Sequence, residues 1–157
     1  GFRAPVIRIM PNINATVLEA MSAYCCSESV TDDQKEFVNK LCSSFGKVMP
    51  LPESYFPLFC SIAGCAPAYA YMFIDSLARS AVKNGMNKSV ALEIAAQTVL
   101  GSAKKILESD EHPWELIDKV CSPGGTTIEG IVSLQKDGFE SAVCNAVDAA
   151  LQKDKKV

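Results

Sequence analysis

The chain has 157 residues, 48% of them hydrophobic and 21% charged, with 15 Lys and Arg against 18 Asp and Glu for a formal net charge of -3. The length is that of one domain, or of one domain and a small piece, and the ordinary globular composition excludes intrinsic disorder. A weakly acidic chain without a basic block also lacks the footprint of a nucleic-acid binder.

Taken in chain order, Gly1 is followed within six residues by a strand-like run, so the chain reads as the end of something longer. Val6-Ile7-Arg8-Ile9-Met10 predicts a strand stopped by Pro11-Asn12. Ala20–Cys26 predicts a second, short strand. Thr31-Asp32-Asp33-Gln34 has capping-box spacing, and Phe37, Val38, Leu41, Cys42 and Phe45 then recur at helical spacing before Gly46. Lys47–Leu51 reads as a short strand or an extended link. Residues 1–50 therefore alternate strand and helix.

From there on, helical signals dominate. Tyr55–Ile74 carries no charge over 20 residues, enough to span a bilayer. Pro57, Gly64 and Pro67 interrupt it, and no Lys/Arg cluster flanks it. We read it as a helix broken at Pro67 and buried on every side, with a second copy of the chain supplying the missing cover. Further helices are predicted from Pro67 to Asn84-Gly85, from Asn87 to Ser109 and from Pro113, whose ring suits a first turn. Thr126-Thr127-Ile128-Glu129 reads as another capping box, and Phe139, Val143, Ala146, Val147 and Ala150 mark a last helix. The Lys153–Lys156 tail reads as solvated and frayed.

The seven cysteines are odd in number and form no CxxC. With no apolar leader within Gly1–Met10, they place the chain in a reducing cytoplasm. Cys25 and Cys26 read as alternate faces of one strand. A single histidine, His112, excludes a His-rich zinc site, and no metal is expected. His112 itself reads as a capping or surface residue at a helix entry.

One segment carries readable chemistry. Cys121-Ser122-Pro123-Gly124-Gly125-Thr126-Thr127 places two glycines and three hydroxyls at a helix start. Free N–H groups there suit a carboxylate or phosphate, although a plain helix-to-helix turn fits the same residues. Gly125 and Gly130 have P-loop spacing, but Ile131 stands where Lys is required. Met10-Pro11-Asn12 would lie at the carboxyl edge of a sheet, where ligands bind in α/β folds, or would simply form a turn. No G-x-G-x-x-G occurs, so the chain carries no dinucleotide fingerprint of its own.

Taken together, Val6–Asn12, Pro67-Ala68-Tyr69, Ala96–Gly101, His112-Pro113, Ser122–Ile128 and Gly138-Phe139 resemble, in order and spacing, the C-terminal part of pyrroline-5-carboxylate reductases. The resemblance implies a mainly α chain: a helical dimerisation domain, like the C-terminal domain of 6-phosphogluconate dehydrogenase, over 51–157. The last α/β elements of a truncated Rossmann-type nucleotide-binding domain would occupy 1–50. It further implies reduction of 1-pyrroline-5-carboxylate to L-proline with NADPH or NADH, in a homodimer or higher oligomer, without nucleic acid or membrane. Ser122, Gly124, Gly125, Thr126 and Thr127 would bind substrate at the dimer interface, Thr127 as the catalytic donor to the imine nitrogen. Met10, Pro11 and Asn12 would line the nicotinamide end of the cofactor. The sequence departs from the family's usual Ser-Gly-Ser-Gly, having Ala63-Gly64-Cys65-Ala66, and from its usual Thr-Pro, having Ile13-Asn14. These departures leave room for a different cyclic imine, and the missing fingerprint for a stand-alone helical binding module without activity.

Overall fold

The structure is a computed structural model and describes residues 4–154. Gly1–Arg3 at the chain start and Lys155 and Lys156 of the predicted tail lie outside the described residues. The chain divides into two compact units, Gly1–Tyr69 with Ala146–Val157, and Ala70–Asn145.

The first unit is built on a three-stranded sheet of β1 (Ile7–Met10), β2 (Ala20–Cys26) and β3 (Gly46–Pro50), in the order β1-β2-β3. β2 pairs antiparallel with β1, Ile9 opposite Tyr24, and parallel with β3, Ala20 opposite Gly46. The crossover between β2 and β3 is α1 (Asp32–Ser43), opened by the predicted capping box: the Thr31 side chain accepts from the Gln34 N–H, and the Thr31 N–H donates to Gln34 Oε1. Alternate residues of a strand share a face. Tyr24 and Cys26 thus meet Val38, Cys42 and Phe45 in the unit's core, and Asn39 donates to the Tyr24 hydroxyl at 3.1 Å. Gly46 is obligatory, because a β-carbon there would lie 2.2 Å from the Ala20 carbonyl oxygen at a φ of +152°. On the other face, the Arg8 guanidinium lies 4.6 Å from the ring centroid of the fully buried Phe56 and pairs with Glu53 at 2.8 Å.

The run from Glu53 is helical but not uniform. A 3-10 turn over Glu53–Tyr55 leads into the short α2 (Phe56–Phe59), a π-turn over Cys60–Gly64, and α3 (Ala66–Lys83). This corrects the expectation of a break at Pro67: the irregularity lies in the preceding π-turn, and Pro67 sits in the first turn of α3, where its missing N–H is tolerated. The run over Glu53–Lys83 is long and apolar enough to cross a membrane by length and composition, and only 11% of its most apolar window is buried within this chain. Burial on every side is therefore not met by one copy.

The second unit comprises the rest of α3, α4 (Lys88–Leu107, capped by Asn87), α5 (Pro113–Val120), α6 (Thr126–Lys136) and the start of α7 (Phe139–Asp154). Lys153 and Asp154, expected to fray, continue α7. The unit's buried residues, among those described, are three alanines: Ala78, Ala91 and Ala95. Phe73 and Phe139 stack at 5.9 Å between centroids, yet Phe73 is 36% and Phe139 40% exposed. Leu77, Leu92, Ile94 and Leu100 are exposed as well. The whole chain exposes 11487 Å², whereas two separate globules of half its mass would together expose about 9,300 Å².

α3 and α4 are joined by Asp75, whose carboxylate accepts from both Lys88 and Arg79. Lys88 first and then Arg79 hold the Asp75 carboxyl below its ordinary value. A carboxylate lowered in the folded state stabilises above its unfolded pKa, about 3.9, and that contribution is lost as pH falls through the lowered folded value. Thermal melts should therefore show Asp75→Asn less stable than the wild type at pH 7, with the gap closing as the pH drops below about 4. A gap that persists unchanged at pH 2 would remove this clamp from the account.

Candidate functional site

The loop between α5 and α6 is set up by α5. His112 is its N-cap: Nδ1 accepts from the Trp114 N–H at 3.2 Å, and the His112 N–H donates to Glu115 Oε2 at 3.0 Å. Lys119 reaches back to Glu111 at 2.5 Å and lowers its pKa. The expected capping histidine is thus a full capping box, which fixes where α5 begins. At the end of α5 the Cys121 N–H donates to the Asp118 carbonyl.

Ser122-Pro123-Gly124-Gly125 then forms a tight turn, with the Gly125 N–H donating to the Ser122 carbonyl at 2.9 Å. Pro123 presets the second position, and Gly124 takes the third at a φ of +67°, where side-chain-bearing residues are strained. Gly125 is needed for a different reason: a β-carbon there would lie 2.3 Å from Ser122 Oγ. The glycine lets the serine hydroxyl lie against the start of the helix.

Here the structure corrects the expected capping box at Thr126 and Glu129. The N-cap of α6 is Gly125, which has no side chain, and no side-chain hydrogen bond caps the helix. Thr126 and Thr127 are the first and second helical residues, one step too late to cap. Three features follow at one place. The first-turn N–H groups of α6 are left without a side-chain acceptor, the positive end of the helix dipole faces outward, and Ser122, Thr126 and Thr127 are exposed. Among the described residues, none of these three hydroxyls makes a hydrogen bond within the chain. The arrangement can receive an anion on backbone N–H groups with a hydroxyl donor beside it.

Met10, Pro11 and Asn12 lie in the first unit, where β1 ends. Asn12 is not a free turn residue. Its Oδ1 accepts from the Met21 N–H at 3.2 Å, and its Nδ2 donates to the Ala63 carbonyl at 3.0 Å. The second bond has a clear cause. In a helix the Ala63 carbonyl would accept from the N–H four residues on, and that residue is Pro67, which has none. Asn12 supplies the donor that Pro67 lacks. A cofactor contact from Asn12 would have to use its backbone, its second amide hydrogen or a spare lone pair. Because the tether ends on a main-chain carbonyl, the departure at Ala63 leaves it intact. No signal in the sequence pairs residue 12 with residue 63; only the missing N–H of Pro67 hinted at an orphan.

Removing the donor should leave a part-buried carbonyl unpaired. Asn12→Ala is expected to cost about 1–2 kcal/mol in urea unfolding. In a Pro67→Ala background, residue 67 regains an N–H for Ala63, and the cost of losing Asn12 should fall by half or more. Strict additivity of the two substitutions would show that Asn12 and Pro67 are not coupled in this way.

Comparison with known proteins identifies the family. Residues 53–157 match the family model described as pyrroline-5-carboxylate reductase dimerisation. A pyrroline-5-carboxylate reductase of Synechocystis is 40% identical over 152 residues, covering 97% of this chain and 57% of that protein. The crystal structure of 1-pyrroline-5-carboxylate reductase from Streptococcus pyogenes superposes with a TM-score of 0.92 at 42% identity, covering 98% of this chain and 59% of the other. The pyrroline carboxylate reductase of Plasmodium falciparum, solved with NADP bound, superposes with a TM-score of 0.92 at 36% identity, covering 99% of this chain and 63% of the other. The chain thus spans little more than half the length of the relatives it matches. With the family model covering the helical region from residue 53 to the end, the chain belongs to the pyrroline-5-carboxylate reductase family.

Proposed function

We propose that this chain supplies the dimerisation and substrate-binding part of an NAD(P)H-dependent reductase that converts 1-pyrroline-5-carboxylate to L-proline. In this reading 1–50 are the end of a nucleotide-binding domain and 51–157 the helical domain, and the protein works in the cytoplasm. The observation that carries it is the bare N-terminus of α6, with Gly125 as N-cap and Thr127 in the first turn.

The substrate is a cyclic imine with a carboxylate. The α6 N–H groups take the carboxylate, and Gly124 and Gly125 leave it room. Ser122 and Thr126 add hydroxyl donors at the rim. The Thr127 hydroxyl then donates to the imine nitrogen. Hydride addition at carbon moves the C=N electron pair onto nitrogen, so a donor placed there stabilises the charge that develops. When bound, the reduced nicotinamide supplies that hydride. The turn Met10–Asn12 fits only its edge, because this sequence has no glycine-rich phosphate loop and most of the Asn12 amide is committed to Ala63 and Met21. The choice between NADPH and NADH therefore rests with residues that meet the ribose elsewhere.

The dimer in this reading answers the second unit's lack of a core. The area above that of two compact globules, roughly 2,000 Å², is of the size that obligate interfaces bury. A soluble dimer also covers the apolar run Glu53–Lys83 without a membrane.

Two substitutions test the reading in the intact protein. Thr127→Ala should lower kcat by about 100-fold or more while leaving the melting temperature in place; an unchanged kcat would remove Thr127 from the mechanism. Leu77→Asp should dissociate the dimer or unfold it, because a charge would be buried unpaired. A folded variant that keeps the dimer's mass in light scattering would show that this face of α3 lies outside the interface.

A further inference from the structure

The sheet of the first unit has two carboxyl ends. β1 ends at Met10, while β2 and β3 run the other way and end beside the start of β1, with Cys26 opposite Ile7. In α/β sheets ligands lie outside the carboxyl ends of parallel strands. That rule points to the β2–β3 end, opposite Met10–Asn12 on the sheet.

The ladder between β2 and β3 opens there. Peptide groups along a strand face its two neighbours in turn. The Ser27 N–H donates to the Val6 carbonyl on the β1 side, so the N–H and carbonyl of Cys26 face β3. The Tyr24 carbonyl accepts from the Leu51 N–H at 2.9 Å, and the next rung would join Cys26 to Leu51 and Glu53. That rung is not made: among the described residues, neither the Cys26 N–H nor its carbonyl has a hydrogen bond. The chain instead leaves the ladder through Pro52 into the 3-10 turn at Glu53.

Cys26, Leu51 and Glu53, the residues of the missing rung, all line one cavity of about 690 Å³. Small-molecule sites span about 300–1,000 Å³. Val6 and Pro50 join Leu51 in an apolar wall, and Arg8 and Lys35 bring positive charge opposite to that of Glu53. Both cations are already matched, Arg8 by Glu53 and Lys35 by Asp32, each at 2.8 Å. The start of α1, which brings Lys35, is closed by the Thr31 cap and carries Asp32 and Asp33. A phosphate therefore finds no excess positive charge here. The Cys25 thiol in the same wall is pushed up by burial first and then by Glu53, so it rests protonated and is a poor nucleophile.

We propose that this cavity binds an apolar α-amino acid as its zwitterion. Cys26 offers one backbone donor and one backbone acceptor to a ligand that carries an acceptor and a donor on one carbon. The Cys26 N–H and the Lys35 ammonium take the carboxylate. The Cys26 carbonyl and the Glu53 carboxylate take the ammonium group. Val6, Pro50 and Leu51 cover the side chain. Exposed ion pairs hold weakly, so Lys35 and Glu53 can exchange Asp32 and Arg8 for the ligand. The site uses none of the residues assigned above to substrate or cofactor.

Calorimetric titration of the intact protein with L-leucine, joined to iodoacetamide labelling mapped by mass spectrometry, tests the site. One equivalent per chain should bind. At about ten times the Kd, Cys25 and Cys26 should be alkylated about tenfold more slowly, with Cys121 and Cys144 unchanged. N-acetyl-L-leucine lacks the ammonium group and L-leucinamide the carboxylate; each should bind roughly tenfold more weakly, as should Lys35→Met and Glu53→Gln. No binding, full affinity for either analogue, or full affinity in both variants would overturn the site. So would protection of Cys121 in place of Cys25 and Cys26, which would put the leucine at the α6 loop. The analogues are read on the unsubstituted protein, so the result stands even if a variant fails to fold, and no outcome depends on the reductase reading.

Discussion

The constraint on which the rest depends is a shortage of covered apolar surface. A helical unit of 76 residues whose buried residues are Ala78, Ala91 and Ala95 has no large side chain at its centre. Burying three methyl groups stabilises very little. Leucines, isoleucines and aromatics that would form a core in an independent domain instead point outward. They must be covered by something of matching shape, and the proposed second copy meets that need in the way expected of an obligate interface. In the proposed dimer, that second copy also covers the long uncharged run.

The two places that the proposed function uses are each held by local contacts. On the proposed substrate side, the His112 capping box and the Lys119–Glu111 pair fix α5, and the Ser122–Gly125 turn delivers an uncapped helix start. On the proposed cofactor side, Asn12 ties the end of β1 to the π-turn before α3. In both places a backbone group is left over by a proline or a glycine. Pro67 orphans a carbonyl, which the protein fills from within. Gly125 orphans amide donors, which the protein leaves open. A filled orphan builds structure, whereas an open one at an exposed loop is available to a ligand.

Much of this was legible in the residues. The strands at Ile7–Met10 and Ala20–Cys26, the Thr31–Gln34 cap and the helices from Pro67, Asn87 and Pro113 follow from local patterns that tertiary contacts did not override. The site loop was legible as a place, because Ser-Pro-Gly-Gly-Thr-Thr concentrates turn and donor residues. Its cap was misread, since Thr126 and Glu129 have the right spacing, but the Pro123-Gly124 turn makes Gly125 the last non-helical residue. The antiparallel pairing of β1 and the 51-residue span between Asn12 and Ala63 were not legible, because neither leaves a local pattern. The π-turn over Cys60–Gly64 was not legible either.

The central claim is that the helical unit completes its core only with a second copy. Sedimentation velocity and thermal unfolding of the intact protein over a hundredfold range of concentration test it directly. The account predicts a dimer or larger assembly, with a melting temperature that rises with concentration because folding and association are linked. A monomer that unfolds cooperatively at one temperature, whatever its concentration, would contradict it.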